Sequence, residues 1–209
     1  MEASFFSLLS FGFLFGMKHA VEADHLMAMV SFTAQAKSWR QSFQHGVTWG
    51  IGHTTTLFIF SLFVFLVDSV IPEKIASALE FVVGVMLVIL GSHLLLTIGK
   101  KAKHPPTDSH DESKRLWRTL SVGLIHGMAG SAALILLTLS TVNSLGVGLL
   151  YVFCFGLGSI AGMGILSAIL VLPFLYTEKY LQRFHWALQW CTSLGTVIFG
   201  IYIMIQPFL

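Results

Sequence analysis

Charged residues are scarce in this chain. Its 209 residues include 12 Lys and Arg and 10 Asp and Glu, so that 11% are charged, against about 25% in soluble domains. This scarcity excludes a water-soluble globule and a disordered segment, and a net charge of +2 excludes a nucleic-acid-binding surface, which needs many more cations. Only two cysteines occur, Cys154 and Cys191, and both lie in apolar runs, which excludes a disulfide framework.

Apolar residues, in contrast, are abundant: 55% of the chain is hydrophobic and the mean hydropathy is +0.80. A helix needs about 20 apolar residues to cross a bilayer, and the stretches 41–67, 81–99, 119–177 and 184–209 contain no Asp, Glu, Lys or Arg. We therefore predict an all-α integral membrane protein with six transmembrane helices. The predicted spans are about 5–32, 43–67, 74–98, 119–140, 145–172 and 185–206.

Basic residues lie on one side of the predicted bundle. Loops 33–42, 99–118 and 173–184 together contain ten Lys and Arg residues, whereas the opposite side contains only Lys74. Because basic loops stay in the cytoplasm, we expect these three loops to be cytoplasmic and both termini to lie outside the cell (inner) membrane. Residues 99–118 are then a cytoplasmic hydrophilic linker.

The two halves of the sequence resemble each other. The matched features, at offsets of 106 to 109 residues, are Gly50-x-Gly52 with Gly156-x-Gly158, His19 with His126, and Gly91 with Gly200. We predict a first three-helix repeat at 1–98 and a second at 119–209. Because three is an odd number, the second repeat enters the membrane inverted relative to the first. Inverted repeats are typical of secondary transporters, although membrane electron carriers share this organisation.

The strongest chemical signal is the run from His19 to His25, which contains two imidazoles and two carboxylates inside the first predicted span. Such side chains are costly in a bilayer, so a cluster of them indicates a divalent-metal site. On a straight helix His19, Glu22 and His25 share one face, and Asp24 lies about 140° from His19. Asp24 then either orients a histidine ring from outside the ligand set or joins the ligands through local unwinding. The alternative is an interfacial cluster whose charges reach the membrane edge.

Two further histidines lie inside predicted spans. His53 is about ten residues into the second span, and His126 begins a small-residue run in the fourth. Taken alone, each also fits helix packing or a local hydrogen bond. Combined with His19 and His25 they favour a late first-row divalent cation, because imidazole suits nickel, cobalt, zinc and copper, whereas magnesium and calcium prefer oxygen ligands.

The pattern His-x4-Asp-His ending at His25, followed by Gly-His-Thr around His53, resembles the signature pair of the nickel/cobalt transporter family. The run that begins at His126 resembles the fourth-span motif of the short, six-span, urease-accessory-type relatives of that family. The resemblance covers nearly the whole chain. It implies that His19, Asp24, His25 and His53 correspond to metal-recognition residues. Further signatures of the larger, eight-span members are not found in the second half.

These features predict a permease whose transported substrate is nickel(II) or cobalt(II), taken up into the cytoplasm through one site near the membrane midplane. The predicted metal residues are His19, Glu22, Asp24, His25, His53 and His126. Within this set, one carboxylate balances charge and His126 flanks the path. Export is the alternative direction. No nucleotide-binding loop or nucleophile triad occurs in the sequence, so we expect neither an enzyme nor a resident cofactor; the expected partners are the metal ion and the lipid bilayer.

The two cysteines raise a function of a different class, a transmembrane thiol–disulfide electron carrier. Such a carrier needs cysteines at equivalent positions of its two repeats. Cys154 and Cys191 instead map near Thr48 and Val82 in the first half, so this alternative is the weaker one.

The remaining histidines are less informative. His45 and His185 lie at predicted cytoplasmic ends of spans, where histidine is ordinary. His93, deep in the third predicted span, is a weaker candidate for a second site. His104 and His110 lie in the hydrophilic linker, where we expect solvated side chains.

The loop charges generate a topology prediction. A reporter fused after Leu209 should lie outside the cytoplasm, because ten basic residues hold the opposite loops inside. The same reporter inserted within 99–118 should lie in the cytoplasm and serves as the matched control. A cytoplasmic signal from the fusion after Leu209 would refute this orientation.

Overall fold

The computed structural model describes residues 2–67, 72–98, 109–129 and 144–208, and their regular structure is helical. The α-helices in these residues are α1 (Glu2–His19), α2 (Ala23–Thr33), α3 (Trp39–Val67), α4 (Glu73–Thr97), α5 (Ser109–Ala129), α6 (Leu145–Tyr180) and α7 (Gln182–Ile205), with a 3₁₀ turn at Gln206–Phe208. Four of them, α3, α4, α6 and α7, are long and apolar enough to cross a membrane. The prediction of an all-helical protein suited to a membrane is confirmed.

The first predicted span, 5–32, is not one helix. Helix α1 ends at His19 and α2 begins at Ala23. Between them Glu22 has an extended backbone, with φ −64° and ψ 150°, and its amide donates to the carbonyl of His19 at 3.0 Å. The straight helix that placed His19, Glu22 and His25 on one face is therefore wrong, and the chain has the local unwinding that was the alternative.

The start of α5 also differs from the sequence prediction. Helix α5 begins at Ser109, so residues 109–118 of the predicted linker are helical, while 99–108 lie outside the described residues. The start of α5 contains Glu112, Lys114 and Arg115, whose residue types are good helix formers, and an apolar count does not register a helix that begins with polar residues. The part of the fourth predicted span from 130 onwards lies outside the described residues.

Helix α6 is longer than predicted, because it continues past 172 to Tyr180 and contains Pro173. The hydroxyl of Thr177 donates to the carbonyl of Pro173 at 2.7 Å. Polar side chains that bond to backbone groups near a proline let membrane helices tolerate it. Pro173 is therefore not a helix end.

Helix backbones approach one another closely at glycines. Helix α3 packs against α5 and α6, α6 also packs against α1, and α4 packs against α7. A Cβ added at Gly123 of α5 would overlap the carbonyl oxygen of Trp49 in α3, and one added at Gly158 of α6 would overlap that of Phe13 in α1. Contacts between small residues stabilise helix pairs in lipid, where the hydrophobic effect does not drive association.

We expect Gly123→Ala to destabilise the protein by about 1–3 kcal/mol, the usual cost of overpacking, since its Cβ would meet the Trp49 backbone. Gly195→Ala in α7 is the matched control, because a Cβ there meets nothing within 4 Å. Thermal unfolding in detergent, followed by circular dichroism, compares the two. Equal melting temperatures would contradict a close α3–α5 contact.

Candidate metal centre

The break between α1 and α2 brings four histidines into one buried group, which we call the histidine cluster. His19 ends α1, His25 lies in the first turn of α2, His53 lies in α3, and His126 lies in the last turn of α5. His25, His53 and His126 have no exposed surface, and His19 is 7% exposed. Four helices thus each contribute one imidazole to the interior of the bundle.

Three of these rings converge, and we call them the three-histidine group. The ligand nitrogens of His19, His25 and His53 lie within 4.8 Å of one another, and Nε2 of His19 is 3.3 Å from Nε2 of His53. In a tetrahedral site with metal–nitrogen bonds of about 2.0–2.1 Å, two ligand nitrogens are about 3.3–3.4 Å apart. The His19 and His53 rings therefore have the spacing that one metal ion can bridge.

Glu22 and Asp24 hold two of the rings through their Nδ1 atoms. Glu22 Oε2 lies 2.9 Å from Nδ1 of His19, and Asp24 Oδ1 lies 2.9 Å from Nδ1 of His25. Because a carboxylate accepts a hydrogen bond from Nδ1–H, the lone pair of each neutral ring is on Nε2. Carboxylate–histidine pairs of this kind orient a ring as a metal ligand. Both carboxylates thus contact the Nδ1 atoms of their rings and can orient these rings from outside the three-histidine group.

Asp24 also reaches α5. Its Oδ2 lies 2.9 Å from Nε2 of His126, and the ring centroids of His25 and His126 are 4.3 Å apart. Ligand atoms of Asp24, His25 and His126 lie within 4.8 Å of one another and form a second group with metal-ligand spacing. His126, predicted to flank the path, is joined to the same carboxylate that orients His25.

Buried polar atoms without a protein partner are concentrated in this cluster. Among the side chains that the structure describes, six buried nitrogen or oxygen atoms have no hydrogen-bond partner, and three of them are Nε2 of His25, Nδ1 of His53 and Nδ1 of His126. A fourth is Nε1 of Trp49, whose ring centroid is 5.4 Å from that of His25. Buried polar atoms are normally paired, so this concentration favours a ligand-binding role.

Aromatic side chains enclose the cluster. The ring of Phe155 in α6 is 5.3 Å from His19, and that of Trp49 in α3 is 5.3 Å from His126. Neither residue stood out in the sequence, because buried aromatic residues are ordinary in apolar helices. Cys154 and Cys191 are free thiols.

Membrane-length helices together with a buried set of imidazoles define a class, the helical membrane proteins with an internal group of side chains that can hold a metal ion. Within that class, the chain belongs to the family of urease accessory protein UreH. It is 37% identical over 213 residues to UreH of Bacillus sp. (strain TB-90), and the match covers 97% of this chain and 92% of the relative. The resemblance to urease-accessory-type proteins is therefore confirmed, and membership of the wider nickel/cobalt transporter family stays a prediction.

Two plant proteins are also similar to the chain. They are the chloroplast proteins FOR GROWTH AND FERTILITY 1 and 2 of Arabidopsis thaliana, which are 27% and 25% identical to it over 94% of its length. The chain spans only 58% and 56% of these two proteins. No protein-family model matches the chain, and no solved structure matches it.

His53→Ala should remove metal binding almost as fully as His25→Ala, since each ring supplies one of the three converging nitrogens. Isothermal titration of the purified variants with nickel(II) measures the loss. His110→Ala, in the hydrophilic part of the chain, is the control and should bind as the wild type does. Nickel binding of wild-type strength by the His53 variant would mean that His53 is not a ligand.

Proposed function

We propose that this protein is a membrane permease that carries nickel(II) or cobalt(II) into the cytoplasm. The observation that carries the proposal is the convergence of His19, His25 and His53 inside a bundle of membrane-length helices. Ionisable side chains in a membrane interior are costly, and they characteristically mark ion pathways. The metal ion is the transported substrate in this proposal and not a resident cofactor.

The donor set suits a late first-row divalent cation. Imidazole nitrogens bind nickel, cobalt, zinc and copper in preference to magnesium and calcium. Membership of a urease-accessory family supports a nickel-related role. The carboxylates of Glu22 and Asp24, each 2.9 Å from a ring of the group, carry charges that offset those of a divalent cation. This balance matters because an uncompensated charge is costly in a low-dielectric interior.

The number of histidine ligands also suits a metal ion that must be released after it has bound. Three imidazoles occupy three positions of a tetrahedral metal ion and leave the fourth open. A free position lets an incoming ligand bind before an imidazole leaves. The three-histidine group is thus suited to ligand exchange.

We further propose that residues 1–98 and 119–209 form two inverted repeats, with six spans in all. Close glycine contacts support this, because they occur in pairs related by the offsets of 106 to 109 found in the sequence. The paired contacts are Gly16–Phe155 with Gly123–Trp49, Gly158–Phe13 with Gly52–Leu120, and Gly91–Ser193 with Gly200–Gly84. Paired contacts of this kind are expected when a twofold axis exchanges two halves, as in many secondary transporters.

Uptake has a ready driving force in the proposed orientation, with basic loops in the cytoplasm and both termini outside the cell membrane. An inside-negative potential favours entry of a divalent cation by about 4.6 kcal/mol per 100 mV, twice the value for a single charge. Membrane potential can therefore drive accumulation without a nucleotide.

Liposomes that contain the oriented protein and an internal metal indicator should accumulate nickel under an inside-negative potassium diffusion potential. Asp24→Asn should slow this flux by about 10- to 100-fold, the usual effect of removing a carboxylate that orients a metal-binding histidine. The variant keeps the shape of Asp24 but loses the charge that His25 and His126 share. Replacement of Cys154 and Cys191 by Ser is the control and should leave the flux unchanged.

The same liposomes separate the alternatives. Nickel movement only towards the extracytoplasmic side would indicate an exporter. Loss of activity in the cysteine-free protein would support a thiol carrier. A protein that moves nickel in neither direction would refute the permease.

A further inference from the structure

A cavity of about 600 Å³ lies where α2, α4 and α5 meet, with His45 of α3 also in its lining. Pockets of about 300–1,000 Å³ accommodate small-molecule ligands. The six predicted metal residues are not part of the lining, so the cavity is separate from the candidate metal centre. Its composition indicates a different kind of ligand.

The cavity is positively charged. Arg115 and Arg118 of α5 line it, and its described lining contains no Asp or Glu. The ion pairs among the described residues join histidines to Glu22 and Asp24, so neither guanidinium has a carboxylate partner there. Two guanidinium groups repel a cation, and their planar sets of N–H donors fit the oxygens of a phosphate group. The charges of the cavity therefore indicate a ligand with an anionic phosphate.

Hydrogen bonds fix the helix that carries the two arginines. The Thr119 hydroxyl lies 2.9 Å from Nδ1 of His45 in α3, and it donates to the carbonyl of Arg115 at 3.0 Å. Both His45 and Thr119 are buried. This pair holds α5 against α3 at the level of Arg115 and Arg118. The two guanidinium groups therefore extend from a backbone whose position is already determined.

Along the helices the lining changes from polar to apolar. Val122 lies four residues after Arg118 on α5, and Ile89 lies four residues before His93 on α4, which corresponds to about 6 Å along each helix axis. Phe32 of α2 adds a further apolar side chain to the lining. A small inorganic anion would fill only the basic end of this cavity. A ligand with both a phosphate group and a hydrocarbon chain matches the two ends.

The basic end of the cavity lies at the level expected for lipid headgroups. Residues 109–118 of α5 include three basic and two acidic residues, whereas 119–129 contain none. Trp117, at this boundary, is 65% exposed, and tryptophan is enriched at membrane–water interfaces. Ile89, at the apolar end, is 61% exposed, so this end reaches the outer surface of the bundle. A lipid can thus enter the cavity sideways from the bilayer.

We propose that this cavity binds an anionic phospholipid, whose phosphate contacts Arg115 and Arg118 and whose acyl chain lies along Ile89 and Val122. Basic pockets between transmembrane helices on the cytoplasmic side bind anionic lipid headgroups, and the loop charges predict that side for the start of α5. The bound lipid links α4, in the first half of the chain, to α5 in the second. The inference goes beyond the proposed metal transport and does not depend on it, because the predicted metal residues do not line the cavity.

Native mass spectrometry of the purified protein in a neutral detergent, titrated with phosphatidylglycerol, tests the inference. Phosphatidylcholine with the same acyl chains is the lipid control, because its headgroup has no net charge, and it should bind more weakly. Arg115→Gln and Arg118→Gln should each weaken phosphatidylglycerol binding by about fivefold, the effect of one basic residue near an anionic lipid surface. Arg183→Gln is the matched control and should bind as the wild type does, since Arg183 is exposed but does not line the cavity.

Thermal unfolding adds an independent measurement. Phosphatidylglycerol should raise the melting temperature of the wild type, because a ligand of the folded state stabilises it, and should raise that of the arginine variants less. Equal melting temperatures without lipid show that a variant is folded, and Arg118→Gln, at an exposed position, serves if Arg115→Gln does not fold. Equal affinities for the two lipids, or arginine variants that bind phosphatidylglycerol as the wild type does, would overturn the inference. Inorganic phosphate that stabilises the protein as much as phosphatidylglycerol would also overturn it, in favour of a site for a free anion.

Discussion

The carboxylate of Asp24 is the group on which the arrangement of the centre depends. It bonds to His25 in α2 and to His126 in α5, residues that come from the two halves of the chain. A partly buried carboxylate, such as that of Asp24 with 27% of its side chain exposed, needs such partners to offset its desolvation. The break at 20–22 precedes Asp24, which lies in the first turn of α2, so its position relative to His19 differs from the roughly 140° of a continuous helix. The carboxylate thus links α2 to α5 directly after the interruption of the first predicted span.

Close backbone contact is the second constraint, because imidazoles on separate helices meet only if those helices nearly touch. A Cβ at Gly127 would overlap the carbonyl oxygen of His53, immediately beside His126. A Cβ at Gly123 would do the same to Trp49 one turn earlier. Larger residues at these positions would push α5 outward and lengthen the 2.9 Å contact with Asp24. The glycines therefore determine the geometry of the centre without contributing an atom to it.

The buried histidines were predictable from the sequence, because polar side chains stand out in apolar stretches. The bond between Asp24 and His126 was not, since the two residues are 102 positions apart and no local pattern specifies such a pairing. The hydrogen bond between His45 and Thr119 was not predictable for the same reason, since these residues are 74 positions apart. The helix that begins at Ser109 was missed because hydropathy does not register polar helices. The candidate metal-binding residues could thus be predicted from the sequence, whereas the hydrogen bonds that tertiary packing creates between distant residues could not.

The two nitrogens of the His25 ring connect the two groups of the centre. Nδ1 lies 2.9 Å from Asp24, which also meets His126, whereas Nε2 is the nitrogen left for the three-histidine group. A movement of α5 that breaks the bond between Asp24 and His126 would free that carboxylate to turn and leave the His25 ring less firmly oriented. Loss of an orienting carboxylate weakens a histidine as a metal ligand. If the two proposed repeats move against each other, as the halves of inverted-repeat carriers do, this displacement would lower the affinity of the proposed centre for a metal ion.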